Sequence, residues 1–160
     1  MITGKTKLLG IIGYPLEHSL SPVMQNAALE HLGIDYRYVP FLIQPKKKKL
    51  KEAIAGLTAI DNLVGFNVTI PHKEAIIPFL SEISDTARAV GAVNTVLRTE
   101  AGWRGDNTDV EGFLTPLKNL TVAKVGENDS SVRDWSSTVA VILGYGGAAR
   151  AVVAGCAQLG

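Results

Sequence analysis

Short apolar runs recur along the chain and are separated by glycine, proline and polar residues. Runs of strand length stand at residues 8–13, 36–43, 63–68, 93–98 and 103–105. Runs of this length, bounded by turn residues, are typical of buried strands. Pro40 places the second strand at a sheet edge or marks its end, because proline cannot donate to a ladder. The last two runs flank Ala101-Gly102 and predict a hairpin.

Between these runs, apolar residues recur at helical spacing. The first helix is predicted to open at Ser21-Pro22 with the serine as N-cap, and to place Met24, Ala28 and Leu32 on its buried face. Further helices are predicted from Pro45 with Leu50, Ile54 and Leu57 as a core stripe, from Pro71, over 86–90, and over 110–120 with Asp109 as cap.

The alternation of strands and helices predicts an α/β fold, with a mainly parallel sheet and flanking helices over residues 1–120. Residues 121–137 are polar and predict a linker or long loop. An apolar strand over 138–143, a glycine turn and a helix over 148–159 then predict the first strand-turn-helix of a Rossmann-like domain in 138–160.

Composition restricts the classes of function. Of the 160 residues, 46% are hydrophobic and 19% are charged, which predicts a packed core. A net charge of +1 argues against nucleic acid as the main partner. Because no segment approaches the ~18 apolar residues of a membrane span and none reads as a signal peptide, we expect a cytoplasmic protein. The lone Cys156 and three isolated histidines predict no metal site.

Polar residues follow two of the predicted strands, where ligands of α/β sheets bind. Ser19 and Ser21 offer hydroxyls and backbone N–H groups that suit a carboxylate, although a plain helix cap fits equally. Asn67, Thr69 and Lys73 surround the predicted helix start at Pro71. A lysine in a first helical turn opposes the helix dipole, which favours a functional role, although a solvated surface lysine fits equally.

Two later clusters allow similar alternatives. Asn94 enters a strand and either bonds neighbouring backbone or serves a ligand. Asp109 ends the sequence Gly-Asp-Asn-Thr-Asp, where it either caps a helix or presents a carboxylate for proton transfer or for orienting a lysine.

The glycine turn at residues 144–148 has the setting of a dinucleotide site. Gly144, Gly146, Gly147 and Ala148 lie between a predicted strand and a predicted helix. Small residues let a pyrophosphate approach the backbone, and a helix start supplies N–H groups. The turn therefore predicts a nucleotide cofactor.

The order of these motifs resembles the shikimate dehydrogenase family over nearly the whole chain. The motifs are Gly-Tyr-Pro at 13–15 with Ser-Leu-Ser-Pro at 19–22, Asn-Val-Thr-Ile-Pro-His-Lys at 67–73, Gly-Ala-Val-Asn-Thr at 91–95, Gly-Asp-Asn-Thr-Asp at 105–109 and the glycine turn. The resemblance implies reversible NADP-linked reduction of 3-dehydroshikimate to shikimate in aromatic amino-acid biosynthesis.

The resemblance also implies a role for each matching residue. Ser19 and Ser21 would hold the substrate carboxylate, Asn67, Thr69 and Asn94 would frame the ring hydroxyls, Lys73 and Asp109 would form the catalytic pair, and Gly144, Gly146, Gly147 and Ala148 would bind NADP. Either Lys73 or Asp109 could be the proton donor, because closely coupled groups titrate as a pair.

The chain departs from the family pattern in two ways. Tyr145 stands in the glycine turn, where the family often has a small residue, and the residues that choose between NADP and NAD would lie beyond Gly160. We therefore expect a fragment with little activity alone, in which 138–160 is loosely held. A quinate/shikimate dehydrogenase, a non-catalytic shikimate-binding fragment that needs a partner chain, and a homodimer also fit the sequence.

Overall fold

The computed structural model describes residues 2–118, 121–123, 130–132 and 135–159. Strands and helices alternate along the first part of the chain and build a sheet with helices packed on it. The elements are β1 Lys7–Gly13, α1 Ser21–His31, β2 Tyr36–Leu42, α2 Lys47–Thr58, β3 Leu63–Val68, β4 Glu82–Ile83, α3 Asp85–Val90, β5 Thr95–Thr99, β6 Gly102–Asp106, α4 Asp109–Lys118, β7 Thr121–Ala123, β8 Ser130–Val132 and α5 Gly147–Leu159, with a short 3-10 helix at Ile77–Phe79.

Six strands form one sheet in the order β2-β1-β3-β5-β6-β4. Strand β1 pairs in parallel with β2 and β3, and β4 pairs in parallel with β6. Strand β5 runs antiparallel to β3 and β6, and it forms the predicted hairpin with β6. The α/β fold is therefore confirmed, with a sheet that is mixed because one strand reverses direction. Strand β2 lies at the sheet edge, as Pro40 predicts.

The main core lies between the sheet and α2. The predicted stripe of Leu50, Ile54 and Leu57 is buried there, which confirms the interpretation of this amphipathic helix. Phe66 of β3 meets Trp103 of β6 edge to face, with ring centroids 5.0 Å apart. Aromatic rings in this arrangement gain from the attraction between ring edge and ring face.

Helix α1 packs through a different face from the one predicted. Met24 and Leu32 are 61% and 66% exposed, and Leu29 is the buried residue of the helix. Asn26 also faces the sheet, where its side chain accepts from the backbone N–H of Tyr38 at 2.9 Å and donates to its carbonyl at 2.8 Å. A polar residue therefore fixes the helix against β2. The face predicted from the four-residue apolar spacing was wrong.

The segment after Pro71 forms turns instead of the predicted helix. One helical turn closes where the backbone N–H of Ile76 donates to the carbonyl of His72 at 3.0 Å, and the short 3-10 helix follows. Pro78 has no N–H to donate, so the prolines leave too few residues for a cooperative helix. Lys73 therefore lies in a turn and not in a first helical turn.

Two helix starts also differ from the predicted caps. Leu20 occupies the N-cap position of α1, so Ser21 is the first helical residue, and its N–H donates to the hydroxyl of Ser19 at 3.3 Å. Asp109 is the first residue of α4. Its backbone N–H donates to the side-chain oxygen of Asn107 at 3.0 Å. Both helices are thus held by a side chain two residues before their first residue.

The predicted strand over 138–143 is not formed. Val139, Val141 and Leu143 are 89%, 83% and 94% exposed, and this segment pairs with no strand among the described residues. An extended segment without a sheet neighbour cannot bury its apolar side chains. In the predicted linker, 124–129 and 133–134 lie outside the described residues, while β7 and β8 form a two-stranded ladder.

Helix α5 packs against α4, while the loose association expected for 138–160 stays a prediction. Gly155 packs so closely on Phe113 that a Cβ there would lie 2.6 Å from the ring. Ala151 is buried in the same cluster, together with Val110 and Leu114. The glycine turn is thereby placed next to the sheet edge that carries the polar motifs.

Candidate active site

Strand directions bring the predicted polar residues to one edge of the sheet. Parallel strands β1 and β3 end at this edge, so the chain leaves them toward Ser19 and Thr69. Antiparallel β5 begins there and β6 ends there, which adds Asn94 and Asp109. The loops after β1 and β3 are joined where the backbone N–H of Tyr14 donates to the carbonyl of Ile70 at 2.9 Å.

An ion pair between Lys73 and Asp109 lies at the centre of this edge. Lys73 Nζ is 2.5 Å from Asp109 Oδ2, and the two side chains are 15% and 28% exposed. The turn that carries the lysine is fixed, because Val93 donates its backbone N–H to the carbonyl of Lys73 at 2.8 Å. Partial burial strengthens the attraction compared with a surface pair. The pair can therefore hold and move a proton at a defined position.

Asn94 holds the second oxygen of the carboxylate. Its Nδ2 donates to Asp109 Oδ1 at 2.8 Å and to the hydroxyl of Thr108 at 2.9 Å. Its Oδ1 accepts the backbone N–H of Thr108 at 3.0 Å, which fixes the direction of the amide. The structure thus brings together three of the predicted site residues, Lys73, Asn94 and Asp109.

Asn107 supports this group, although the sequence interpretation assigned it no role. The side chain is 4% exposed. It donates to the carbonyl of Ala92 at 2.9 Å and accepts the backbone N–H of Asp109. It therefore ties the start of α4 to the loop before Asn94. Its place between two aspartates, in a turn that must cap a helix, was the available sequence signal.

His72 is a structural residue beside the site. Its ring is 2% exposed, and Nε2 lies 2.6 Å from the carbonyl oxygen of Ile43. A carbonyl only accepts hydrogen bonds, so Nε2 carries the proton. The side chain joins the turn after β3 to the end of β2, which is a structural task. Within the described part of the chain, no three His, Cys, Asp or Glu side chains are grouped to hold a metal.

Asn67 and Thr69 lie at the end of β3, on the side of the site toward β1. Asn67 Nδ2 is 3.3 Å from the carbonyl of Asn94, and its Oδ1 accepts the hydroxyl of Tyr38 at 2.8 Å. Burial raises the pKa of Tyr38 from 10.0 to about 12, so the phenol stays a hydrogen-bond donor up to strongly alkaline pH. Thr69 packs on Gly13, where a Cβ would lie 2.5 Å from Thr69 Cγ2.

Ser19 and Ser21 lie at the start of α1, on the loop that leaves β1. Both side chains are partly exposed. The Ser19 hydroxyl accepts one helix N–H, and the backbone N–H of Ser19 donates to the carbonyl of Leu16 at 3.0 Å. Ser19 thus lies on the loop that leaves β1, and Ser21 lies in the first turn of α1. Hydroxyls and helix N–H groups together suit an anion.

A cavity of about 650 Å³ lies between the turn after β3 and the glycine turn. Its walls are formed by the turn after β3 and by the start of α5, and its lining residues include Thr69, Lys73, Gly144, Gly146, Gly147 and Ala148. Gly147 lies close to the turn that carries Lys73, since a Cβ at Gly147 would lie 3.3 Å from Lys73 Cβ. Gly144 has φ +129°, a conformation that side chains disfavour. The four predicted cofactor residues thus share one cavity with Lys73.

An ion pair links α5 to the turn after β3. Arg150 of α5 lies 3.2 Å from the carboxylate of Glu74, the residue after Lys73. The guanidinium also stacks on the ring of Tyr145 at 4.9 Å. This ion pair connects α5 to the lysine turn, in addition to the packing of α5 on α4.

Comparisons with known proteins give the family to which these features belong. The family model of the shikimate dehydrogenase substrate-binding domain matches residues 11–96, which is more than half of the chain. The chain belongs to this family. The match spans the β1 loop, the lysine turn and Asn94, so the resemblance found in the motifs is confirmed.

Individual relatives agree. The NADP⁺-dependent shikimate dehydrogenase of Nostoc sp. strain PCC 7120 is 63% identical over 160 residues, which are 100% of this chain and 51% of the relative. The crystal structure of shikimate dehydrogenase from Aquifex aeolicus has a TM-score of 0.86 and 41% identity, over 100% of this chain and 55% of that one. The chain spans about half the length of the curated relatives it matches.

A further solved structure carries both ligands. The shikimate 5-dehydrogenase of Thermus thermophilus, in complex with NADP(H) and shikimate, has a TM-score of 0.76 and 32% identity over 97% of this chain and 53% of that one.

In the described part of this chain, no helix is both long and apolar enough to cross a membrane.

Proposed function

We propose that this chain is the substrate-binding part of an NADP-dependent shikimate dehydrogenase, with residues 1–120 as the substrate domain and 138–160 as the start of the nucleotide-binding domain. The observation that carries the proposal is the Lys73–Asp109 pair at 2.5 Å, placed where Lys73 also lines the cavity beside the glycine turn. A proton-transfer group and a nucleotide-binding turn on one cavity are the parts that carbonyl reduction needs.

The pair supplies the proton chemistry of this reaction. A ketone that gains a hydride develops negative charge on its oxygen, which needs a nearby donor. Lys73, which lines the cavity and donates to Asp109, would give this proton, and Asp109 balances the charge of the ammonium group. In the reverse direction, the same pair takes the hydroxyl proton of shikimate. Because the turn after β3 and the Asn94 amide fix both groups, little reorganisation accompanies the proton transfer.

The remaining polar groups hold the substrate. Ser19 and Ser21 bind its carboxylate at the start of α1, where helix N–H groups favour negative charge. Asn94, Asn67 and Thr69 bind ring hydroxyls along the ends of the neighbouring strands. Two separate contacts, one with the carboxylate and one with the reacting ketone, would fix the ring in one orientation.

The residues present fit part of a dinucleotide. Gly146 has open space around its Cα, and α5 presents its first N–H groups beside it. Gly144, Gly146, Gly147 and Ala148 would hold the pyrophosphate, as small residues allow at a helix start. When bound, NADP supplies or accepts the hydride of the reaction. The fit supports the proposal of NADP as cofactor.

The experiment joins this chain at Gly160 to the part of the Nostoc relative that the chain does not cover. NADP⁺ reduction is then followed with shikimate in the joined enzyme. We expect turnover, and we expect K73M to lower kcat by about 10²- to 10⁴-fold, the range of positioned acid–base groups. The control is K48M, since Lys48 is 88% exposed and lies on α2.

Substrate-independent activity, or equal turnover of K73M and K48M, would contradict the proposal. Quinate in place of shikimate tests the related activity, and we expect shikimate to be preferred. A cytoplasmic location and a homodimer remain predictions, the second of which sedimentation of the joined enzyme would test.

A further inference from the structure

Tyr38 lies on edge strand β2, outside every motif that the sequence analysis singled out. Its side chain is 4% exposed, and its hydroxyl is 2.8 Å from Asn67 Oδ1. The direction of this bond is fixed by the other end of the amide. Asn67 Nδ2 faces the carbonyl of Asn94, which only accepts, so Oδ1 faces the phenol and the phenol donates.

The hydrogen bonds continue from Asn67 to Asn94 through a hydroxyl. Asn67 Nδ2 is 3.3 Å from Thr95 Oγ1, and the Thr95 hydroxyl is 2.9 Å from Asn94 Oδ1. Because the hydroxyl accepts from Asn67, its proton points to Asn94. The backbone N–H of Thr108 also donates to Asn94 Oδ1, so the amide has one orientation.

These bonds form a relay with a single direction from Tyr38 to the ion pair. Tyr38 donates to Asn67, Asn67 to Thr95, Thr95 to Asn94, and Asn94 to Asp109. Turning the Asn67 amide over would set its oxygen against the Asn94 carbonyl, acceptor against acceptor. Turning the Asn94 amide over would set its nitrogen against the Thr108 N–H, donor against donor. The two amides are predicted substrate residues, and the last member is half of the ion pair. Networks of this kind orient the groups at their ends.

We infer that Tyr38 and Thr95 are positioning residues, which act through Asn67 and Asn94 to orient the substrate contacts and the Asp109 carboxylate. The inference rests on the proposed function of the site. Tyr38 is suited to this role because Asn26 holds its backbone N–H and carbonyl, at 2.9 Å and 2.8 Å. Thr95 is suited because its hydroxyl both accepts and donates.

The test compares Y38F and T95V, which remove one hydroxyl each, with T95S, which keeps it. Y36F is the matched control, because Tyr36 lies on the same strand and its hydroxyl bonds to no described residue. Shikimate affinity is measured by two-dimensional NMR, together with the side-chain amide signals of Asn67 and Asn94. We expect Y38F and T95V to weaken shikimate about ten-fold, and T95S and Y36F to change it less than about two-fold.

The side-chain amide signals distinguish a positioning role of Tyr38 and Thr95 from a merely structural role. We expect the Asn94 side-chain signals to move in Y38F and T95V and to stay in place in T95S and Y36F. Unmoved signals with wild-type affinity would overturn the inference. So would equal losses in T95V and T95S, or a loss explained by lower unfolding midpoints. A wild-type chain that binds no shikimate would instead contradict the proposed function, and the amide signals would still decide the relay.

Discussion

Asn94 Nδ2 lies 2.8 Å from Asp109 Oδ1, although 15 positions separate the two residues. They meet because β5 begins and β6 ends at the same edge of the sheet. The amide occupies one carboxylate oxygen, and Lys73 takes the other. The orientation of the ion pair therefore depends on the β5–β6 hairpin as well as on the two charges.

Crowding at Gly147 should disturb the lysine turn. A Cβ there would lie 3.0 Å from Ala92 Cβ and 3.3 Å from Lys73 Cβ, so G147V must displace α5 or the turn. We expect it to lower the unfolding free energy in urea by about 1–3 kcal/mol, as overpacking does. G56A is the control, because nothing lies within 4 Å of a Cβ there. Equal stability of G147V and wild type would contradict the packing.

Arg98 should contribute strongly to the stability of the substrate domain. Its guanidinium donates to the carbonyls of Leu63 and Ile60, both at 2.8 Å, and lies 4.5 Å from the Trp103 ring. We expect R98M to lower the unfolding free energy by about 2–4 kcal/mol, because several carbonyls lose a charged donor. Urea unfolding followed by tryptophan fluorescence measures it.

The control for R98M is R104M, whose exposed partner Glu82 is 3.8 Å away. Exposed pairs contribute at most about 1 kcal/mol. Equal losses of unfolding free energy in the two variants would show that the carbonyl contacts of Arg98 add nothing to stability.

Tyr38 should make the fold sensitive to alkaline pH. Burial raises its pKa from 10.0 to about 12. The folded state therefore favours the protonated phenol, and this stability is complete below pH 10 and is lost as the pH rises toward 12. The loss should amount to about 2–3 kcal/mol.

Unfolding of wild type and Y38F between pH 9 and 12 measures this effect as a difference, since other groups titrate in both proteins. We expect Y38F to lose less stability than wild type over this range, and Y36F to behave as wild type. Parallel stability curves for Y38F and wild type would be inconsistent with a buried phenol.

Hydrogen-exchange rates should differ between α5 and the segment before it. Amides of α5 should be protected, because Ala151 and Gly155 pack on α4, while amides of residues 139–143 should exchange near their intrinsic rates. G155L should remove the α5 protection, since Phe113 leaves no room there. Strong protection over 139–143 in a monomer would contradict the exposed segment described above.

The sequence predicts those elements whose local pattern agrees with their packing. Helix α2 has apolar residues at true helical spacing, and its buried stripe is as predicted. The first apolar run became β1 because a buried parallel strand requires little more than continuous hydrophobicity. The polar motifs were found for a related reason, since they follow strands at an edge that the strand directions define.

The errors arise where tertiary contacts decide the structure. Asn26, a polar residue, fixes α1 against β2, so apolar spacing alone predicted the wrong buried face. Residues 138–143 have the composition of a strand but pair with no described neighbour, and a ladder cannot form from one segment. Tyr38 and Asn107 were missed because their importance depends on hydrogen bonds across 29 and 15 positions.

Titration of this chain with shikimate, observed by two-dimensional amide NMR, is the first test of the proposed shikimate site. We expect dispersed signals and saturable shifts at Ser19, Lys73 and Asp109, with weaker binding in K73M and unchanged binding in K48M. A dispersed spectrum without saturable shifts, or shifts that are equal in K73M and K48M, would contradict a shikimate site built on the Lys73–Asp109 pair.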